Sequence, residues 1–353
     1  MGALLATEQQ RIDSILHNTP GTIVVANNPT ASANHNMAFE WTWFGQSVVK
    51  RYEEFITTES IRQGVDPNWV KAIVYMENSH GYYDAALFGL QKTIRPMNID
   101  KTIWAGLLPP GGSFSNDYDN IRAGITLIKR LNDRIDQPDL QKVATLYNAT
   151  ARDKVADYGA RVNSISAERV WESTPNYSDL KYVNNANGEL RAVEVTYKDG
   201  SRSVFSKEWP GPTGEMREVG PSTTGPGYYY NNWNVIESRY SAEGQYLGGT
   251  CYAPGINPKG VFNEASGPRV TFDATGQIVG LHDAVGFSIA SGATATNNAA
   301  TGEYRLVLPN EDGGQDVYSR TFEEYGFSSK GYAIKQSSTD GQGKITYDFT
   351  GYQ

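Results

Sequence analysis

Cysteine is almost missing from this chain. Cys251 is the only one in 353 residues, so no intramolecular disulfide can form. A lone thiol suits a protein made in a reducing compartment such as the cytoplasm. Long apolar runs are missing too. No stretch approaches the ~20 residues needed to cross a bilayer, and the mean hydropathy is −0.50, so no membrane span is expected. Positive charge is in deficit. Lys and Arg number 31 against 39 Asp and Glu, which leaves a net charge of −8. Nucleic-acid binders usually carry basic clusters, so no nucleic-acid partner is expected. Histidine is scarce: His17, His35, His80 and His282 are too scattered to form a metal cluster. Neither a metal nor a cofactor is expected.

The chain does contain two regions of different character, which meet near residue 178. Residues 38–175 carry apolar positions at helical spacing. Trp43, Phe44, Val48, Tyr52, Phe55 and Ile56 mark one helix, with Gly64 as its stop. Ile121, Ile125, Ile128, Leu131 and Ile135 mark another over 119–135. Leu140, Val143, Ala144 and Tyr147 mark a third over 138–149, and Val155, Tyr158, Val162 and Ile165 a fourth over 151–165. Residues 81–118 are rich in Gly, Pro and aromatics, and a connection of that length is usually functional. From residue 180 the period falls to two. Leu190–Tyr197 and Ser201–Phe205 flank Lys198-Asp199-Gly200, a hairpin signature. Turn residues recur at Asn187-Gly188, Glu243-Gly244, Thr275-Gly276, Asp312-Gly313 and Asp340-Gly341. Residues 210–230 read as a long loop or linker, and 291–300 as a loop tip. The expected organisation is therefore α+β and multidomain. A mobile arm over 1–37 precedes an all-α domain over 38–175, and a β-rich sandwich or meander follows over 176–353.

Glu77 stands out in the helical region. Asp66 and Pro67 suit a helix start. Val70, Ile73, Val74 and Glu77 then share one face. A carboxylate at the end of an apolar stripe is costly to bury alone. It is either a structural acid paired with a neighbouring group, or a general acid whose pKa is raised by its apolar surroundings.

Several short motifs follow in order. Gly89-Leu90-Gln91 lies beyond the Glu77 helix. Asn120-Ile121-Arg122-Ala123-Gly124 opens the next long helix. Leu146-Tyr147-Asn148 closes the one after, and Tyr158-Gly159 lies in the last. This ordered set, over about residues 45–165, resembles the lysozyme-like lytic transglycosylases of the soluble type. Asn78 stands where that family usually has Ser after its catalytic Glu, and Ser79 comes next. The family's G-L-M-Q is shortened to Gly89-Leu90-Gln91, and its A-Y-N reads Leu146-Tyr147-Asn148. Thr93–Ile99 has no counterpart in the family pattern.

The resemblance implies an all-α lysozyme-like domain that cleaves the β-1,4 bond between N-acetylmuramic acid and N-acetylglucosamine in peptidoglycan. Glu77 would be the catalytic acid, and its pKa should lie above the ~4.3 of a free Glu. Ser79, Gln91, Tyr147, Asn148 and Tyr158 would bind substrate. A hydrolysing muramidase would need a second carboxylate; Asp84, Asp100, Asp117 and Asp119 are the candidates. A third reading is an inactive, wall-binding protein. Residues 1–34 show no basic segment followed by an apolar block, so export without a recognisable signal peptide is expected, with action at the periplasm or cell wall. That route suits an antibacterial effector or a phage-tail lysin. The β-rich region would then meet an immunity protein or a secretion or tail component, while the glycan strand is the substrate partner.

Overall fold

The computed structural model describes residues 2–19, 21–35, 42–79, 93–173, 177–184, 186, 190–206, 234–252, 255–256, 262–263, 269–274, 278–282, 292–298, 303–320 and 334–348. The chain divides into two compact units, one of Met1–His35 with Trp41–Pro175, the other mainly Asn176–Gln353. The layout is α+β, with the described α-helices in the first unit and antiparallel sheets in the second.

The first unit holds α1 (Gly2–His17), α2 (Thr42–Gln63), α3 (Pro67–Ser79), α4 (Asp117–Arg134), α5 (Leu140–Asn148) and α6 (Asp157–Glu168). Each start has a local cause. The Asp66 carboxylate accepts from the Asn68 amide at 2.8 Å and opens α3. Asn116 caps α4 and Asp139 caps α5 through their side chains. The last helix starts later than the expected 151, because Ala26 pairs with Lys154 in a short bridge before Asp157. Helix α3 packs against both α2 and α6. Residues Val70–Ser79 are all buried, so α3 is the centre of the unit rather than a helix with one apolar stripe. Ile56, Ile121, Ile125, Ile128, Val143 and Val162 on the other helices are fully buried as well.

The first 35 residues differ from the expected mobile arm. Ile15 is fully buried, and Arg11 donates to the carbonyls of Thr150 and Arg152 at 2.9 and 2.8 Å. Ile23 bridges Ile135. A polar, Asn-rich composition hid a few apolar anchors and a set of backbone hydrogen bonds that only the fold supplies.

Between α3 and α4 runs a two-stranded hairpin, β1 (Thr93–Ile94) and β2 (Ile99–Asp100), paired antiparallel. A 3-10 turn at Ala105–Leu107 follows it.

The second unit has a seven-stranded sheet and a five-stranded sheet. The larger contains β3 (Tyr177–Asn184), β4 (Leu190–Tyr197), β5 (Arg202–Ser206), β6 (Asn234–Tyr240), β7 (Tyr246–Tyr252), β10 (Arg269–Asp273) and β11 (Ile278–His282), hydrogen-bonded in that order. A small ribbon of β8 (Gly255–Ile256) and β9 (Phe262–Asn263) lies between β7 and β10 in sequence. The smaller sheet runs β12 (Thr294–Asn298), β13 (Glu303–Pro309), β14 (Gln315–Arg320), β15 (Ile334–Thr339) and β16 (Ile345–Asp348) in chain order. The expected hairpin forms as β4 and β5, with Gly200 at φ 86° in its turn. Residues 294–298 form a strand where a loop tip was expected. The small polar residues there pair with β13 along its length, and such a strand has no alternation for the eye to find. Residues 210–230 and the turns at 187–188 and 275–276 lie outside the described residues.

Ala192, Val204 and Tyr240 form an apolar cluster on one face of the larger sheet. The opposite parity carries a buried polar chain. Ser203 Oγ donates to Glu237 Oε1 at 2.5 Å, Thr250 Oγ1 to Glu237 Oε2 at 3.4 Å, and Thr271 Oγ1 bonds Thr250 at 3.1 Å and His282 Nε2 at 2.7 Å. Buried polar groups stay satisfied this way. Sequence reading found no chemistry there, because the five residues come from five different strands.

Candidate functional site

The last turn of α3 delivers Glu77 into the first unit's interior, at 9% exposure. Two further elements close on its carboxylate. From α6, the Tyr158 hydroxyl donates to Oε1. From the hairpin, Asn98 Nδ2 donates to Oε2 at 2.7 Å. Burial and the nearby Glu77 charge hold the Tyr158 phenol well above its ordinary range, so it stays a protonated donor.

The hairpin is fixed from three sides. Asn120 Oδ1 on α4 accepts from the Met97 amide at 2.8 Å, and Tyr147 at the end of α5 donates from its hydroxyl to the Met97 carbonyl at 2.5 Å. Asn78, next to Glu77, donates from Nδ2 to the Pro96 carbonyl and to Val74 in its own helix, both at 2.7 Å. Gly124 makes room for the hairpin. A Cβ there would come within 2.6 Å of Met97 Cε, and Met97 is fully buried. The Asn120-Ile121-Arg122-Ala123-Gly124 motif is therefore the seat of the hairpin.

Asn98 holds a left-handed backbone, φ 52°, which Asn tolerates better than most residues. This aims its amide at Glu77. Its Oδ1 is buried and has no hydrogen-bond partner. Such an acceptor costs free energy until a donor reaches it.

The structure brings Glu77, Tyr158 and Tyr147 together and adds Asn98 and Asn120. Tyr147 acts on the hairpin rather than on the carboxylate, although burial first and the Glu77 charge second raise its phenol pKa too. Ser79 is buried and donates to the Met76 carbonyl of its own helix at 3.1 Å, so its hydroxyl is spent locally. Asn148 is exposed at the end of α5. Gln91, His80 and Asp84 lie outside the described residues. The other acids are engaged elsewhere. Asp100 accepts from the Thr102 and Ile103 amides at 2.8 and 3.0 Å, Asp117 from the Tyr52 hydroxyl, and Asp119 pairs with Arg122 at 3.1 Å.

Asn98 escaped sequence reading. Its only signal was an Asn in a short Pro-containing segment, a residue type that accepts turn backbones. Among the described residues, no group of three or more His, Cys, Asp or Glu is placed to hold a metal ion, and no helix is long and apolar enough to cross a membrane.

No family model, no curated protein and no solved structure matches this chain.

Proposed function

We propose that the first unit is a peptidoglycan-cleaving enzyme of the lytic transglycosylase kind, with Glu77 as its single acid and base. The observation that carries the reading is the Glu77 carboxyl itself, buried yet gripped by neutral donors from two other elements. A buried carboxyl whose two oxygens are each held by a donor has a fixed orientation, which suits a group that must first give a proton and then take one.

The reaction asks for both roles. Glu77 gives its proton to the oxygen that bridges N-acetylmuramic acid to N-acetylglucosamine. The bond from that oxygen to the anomeric carbon breaks as the muramic 6-hydroxyl attacks the same carbon. The hydroxyl proton passes to Glu77, which regains its starting state. The product is a 1,6-anhydro sugar, and no water is consumed. Tyr158 and Asn98 orient the carboxyl through both steps. The unpartnered Oδ1 of Asn98, buried beside the carboxyl, is an acceptor that a sugar acetamide N–H or hydroxyl would satisfy on binding.

Asp100, Asp117 and Asp119 each have another partner, which supports one carboxylate over the two that a hydrolase uses. For the second unit we propose attachment to the wall or to a delivery or immunity partner. Export to the periplasm or wall, as an antibacterial effector or tail lysin, completes the reading.

Clearing of purified cell walls tests it. Wild type should lower wall turbidity, and Glu77→Gln should do so about 10²–10⁴ times more slowly. Equal clearing by both removes Glu77 as the acid. Clearing by neither favours a wall-binding role.

A further inference from the structure

Away from Glu77, the first unit has an open, groove-like cavity of about 380 Å³ formed by the end of α2, the 3-10 turn and α4. Arg62, Arg122 and Arg130 line it, with Leu107, Leu108 and Pro109 opposite. Three guanidinium groups on one cavity are notable in a chain of net charge −8.

Two of the three are partly neutralised. Glu59 accepts from Arg62 Nε at 2.8 Å and lies 3.5 Å from Arg122 Nε, while Asp119 pairs with Arg122 Nη1 at 3.1 Å. These contacts use only some of the five N–H donors that each guanidinium carries. They also hold the groups in place, as does the stacking of Arg122 over the Phe55 ring at 5.5 Å. Arg130 is different. Its Nη1 donates to the carbonyls of Ile15 and Leu16 at the end of α1, and no carboxylate pairs with it among the described residues. The helix end carries only about half a negative charge. Burial, then the nearby Arg134, pushes the Arg130 pKa down, as expected for a cation short of counter-charge.

We propose that this cavity binds a phosphate-class oxyanion, with Arg130 as its central ligand and Arg62 and Arg122 as flanking donors. Fixed guanidinium forks match the oxygens of phosphate, and its negative charge would supply what Arg130 lacks. The aliphatic wall of Leu107, Leu108 and Pro109 would face the organic part of a phosphate ester. The source is either a free phosphorylated small molecule or a phosphodiester wall polymer.

The test is calorimetric titration of the full chain with inorganic phosphate at constant ionic strength, and in parallel with a glycerol phosphate polymer. One saturable site per chain is expected for at least one of them. Arg130→Gln should weaken it about tenfold or more, since one charged hydrogen bond is worth ~1.5–3 kcal/mol. Arg62→Gln, at a side chain 63% exposed, should weaken it several-fold, with the melting temperature measured alongside because Arg62 also pairs with Glu59. Glu77→Gln should leave it unchanged, which keeps this site separate from glycan cleavage. Tighter binding of the polymer assigns the wall as source, and tighter binding of phosphate assigns a small ester. Absence of saturable binding by both probes overturns the proposal. So does binding that neither arginine variant alters.

Discussion

Glu77 gains its proposed role from two neighbours rather than from its own helix. Tyr158 and Asn98 hold its two oxygens, and their removal should have different results. Tyr158→Phe deletes one donor and leaves the ring, so folding should be retained while wall-clearing falls about 10-fold or more, one lost hydrogen bond to a charged group being worth ~1.5–3 kcal/mol. Asn98→Ala deletes a donor and the open acceptor together, and should raise KM as well as lower kcat. Initial rates against wall concentration separate the two. Equal effects on kcat and KM in both variants would contradict separate roles. Glu77 was legible in the sequence because its neighbours fall on a helical period. Asn98 was not, because its partner is 21 positions away and only a turn aims it.

The hairpin of β1 and β2 is the element on which the site rests. Gly124 and Gly159 are two places in the first unit where neighbouring elements approach closely. A Cβ at Gly159 would lie 2.2 Å from the Gln141 carbonyl oxygen, which belongs to the α5 backbone and cannot step aside. Gly159→Ala should therefore cost about 1–3 kcal/mol or more in urea unfolding. The nearest atoms to a Cβ at Gly124 all belong to the Met97 side chain, which can yield by shifting. Gly124→Ala should cost less stability and more activity, because Met97 shifts the hairpin and Asn98 with it. The sequence motifs were visible, and the resemblance ordered them. Their use was not: Asn120 and Gly124 serve the hairpin, and Asn78 anchors it. Helix positions from residue 42 onward were readable from period, whereas α1 was not legible as a helix at all, and the start of α6 was hidden because a bridge to Ala26 takes the residues before it.

At the scale of the whole molecule, helices precede sheets, and that division was legible from the change of period near residue 178. The buried chain from Ser203 to His282 was not, because cross-strand register joins residues from five strands. Acid stability of the first unit belongs to this scale as well. Hydrogen bonding from Arg62, ahead of other causes, holds the Glu59 carboxyl below its usual 4.5. A depressed folded-state pKa adds stability above the unfolded value, and that stability is lost as pH falls through the folded one. Melting temperatures measured downward from pH 5 should fall more steeply for wild type than for Glu59→Gln; parallel curves would contradict the pairing. The central claim is that one carboxyl cleaves glycan without water, and mass spectrometry of fragments released from purified peptidoglycan tests it most directly. The account predicts muramic ends in the anhydro form, one water lighter than reducing ends, from wild type and none from Glu77→Gln. Reducing ends, or the same fragments from both proteins, would contradict it.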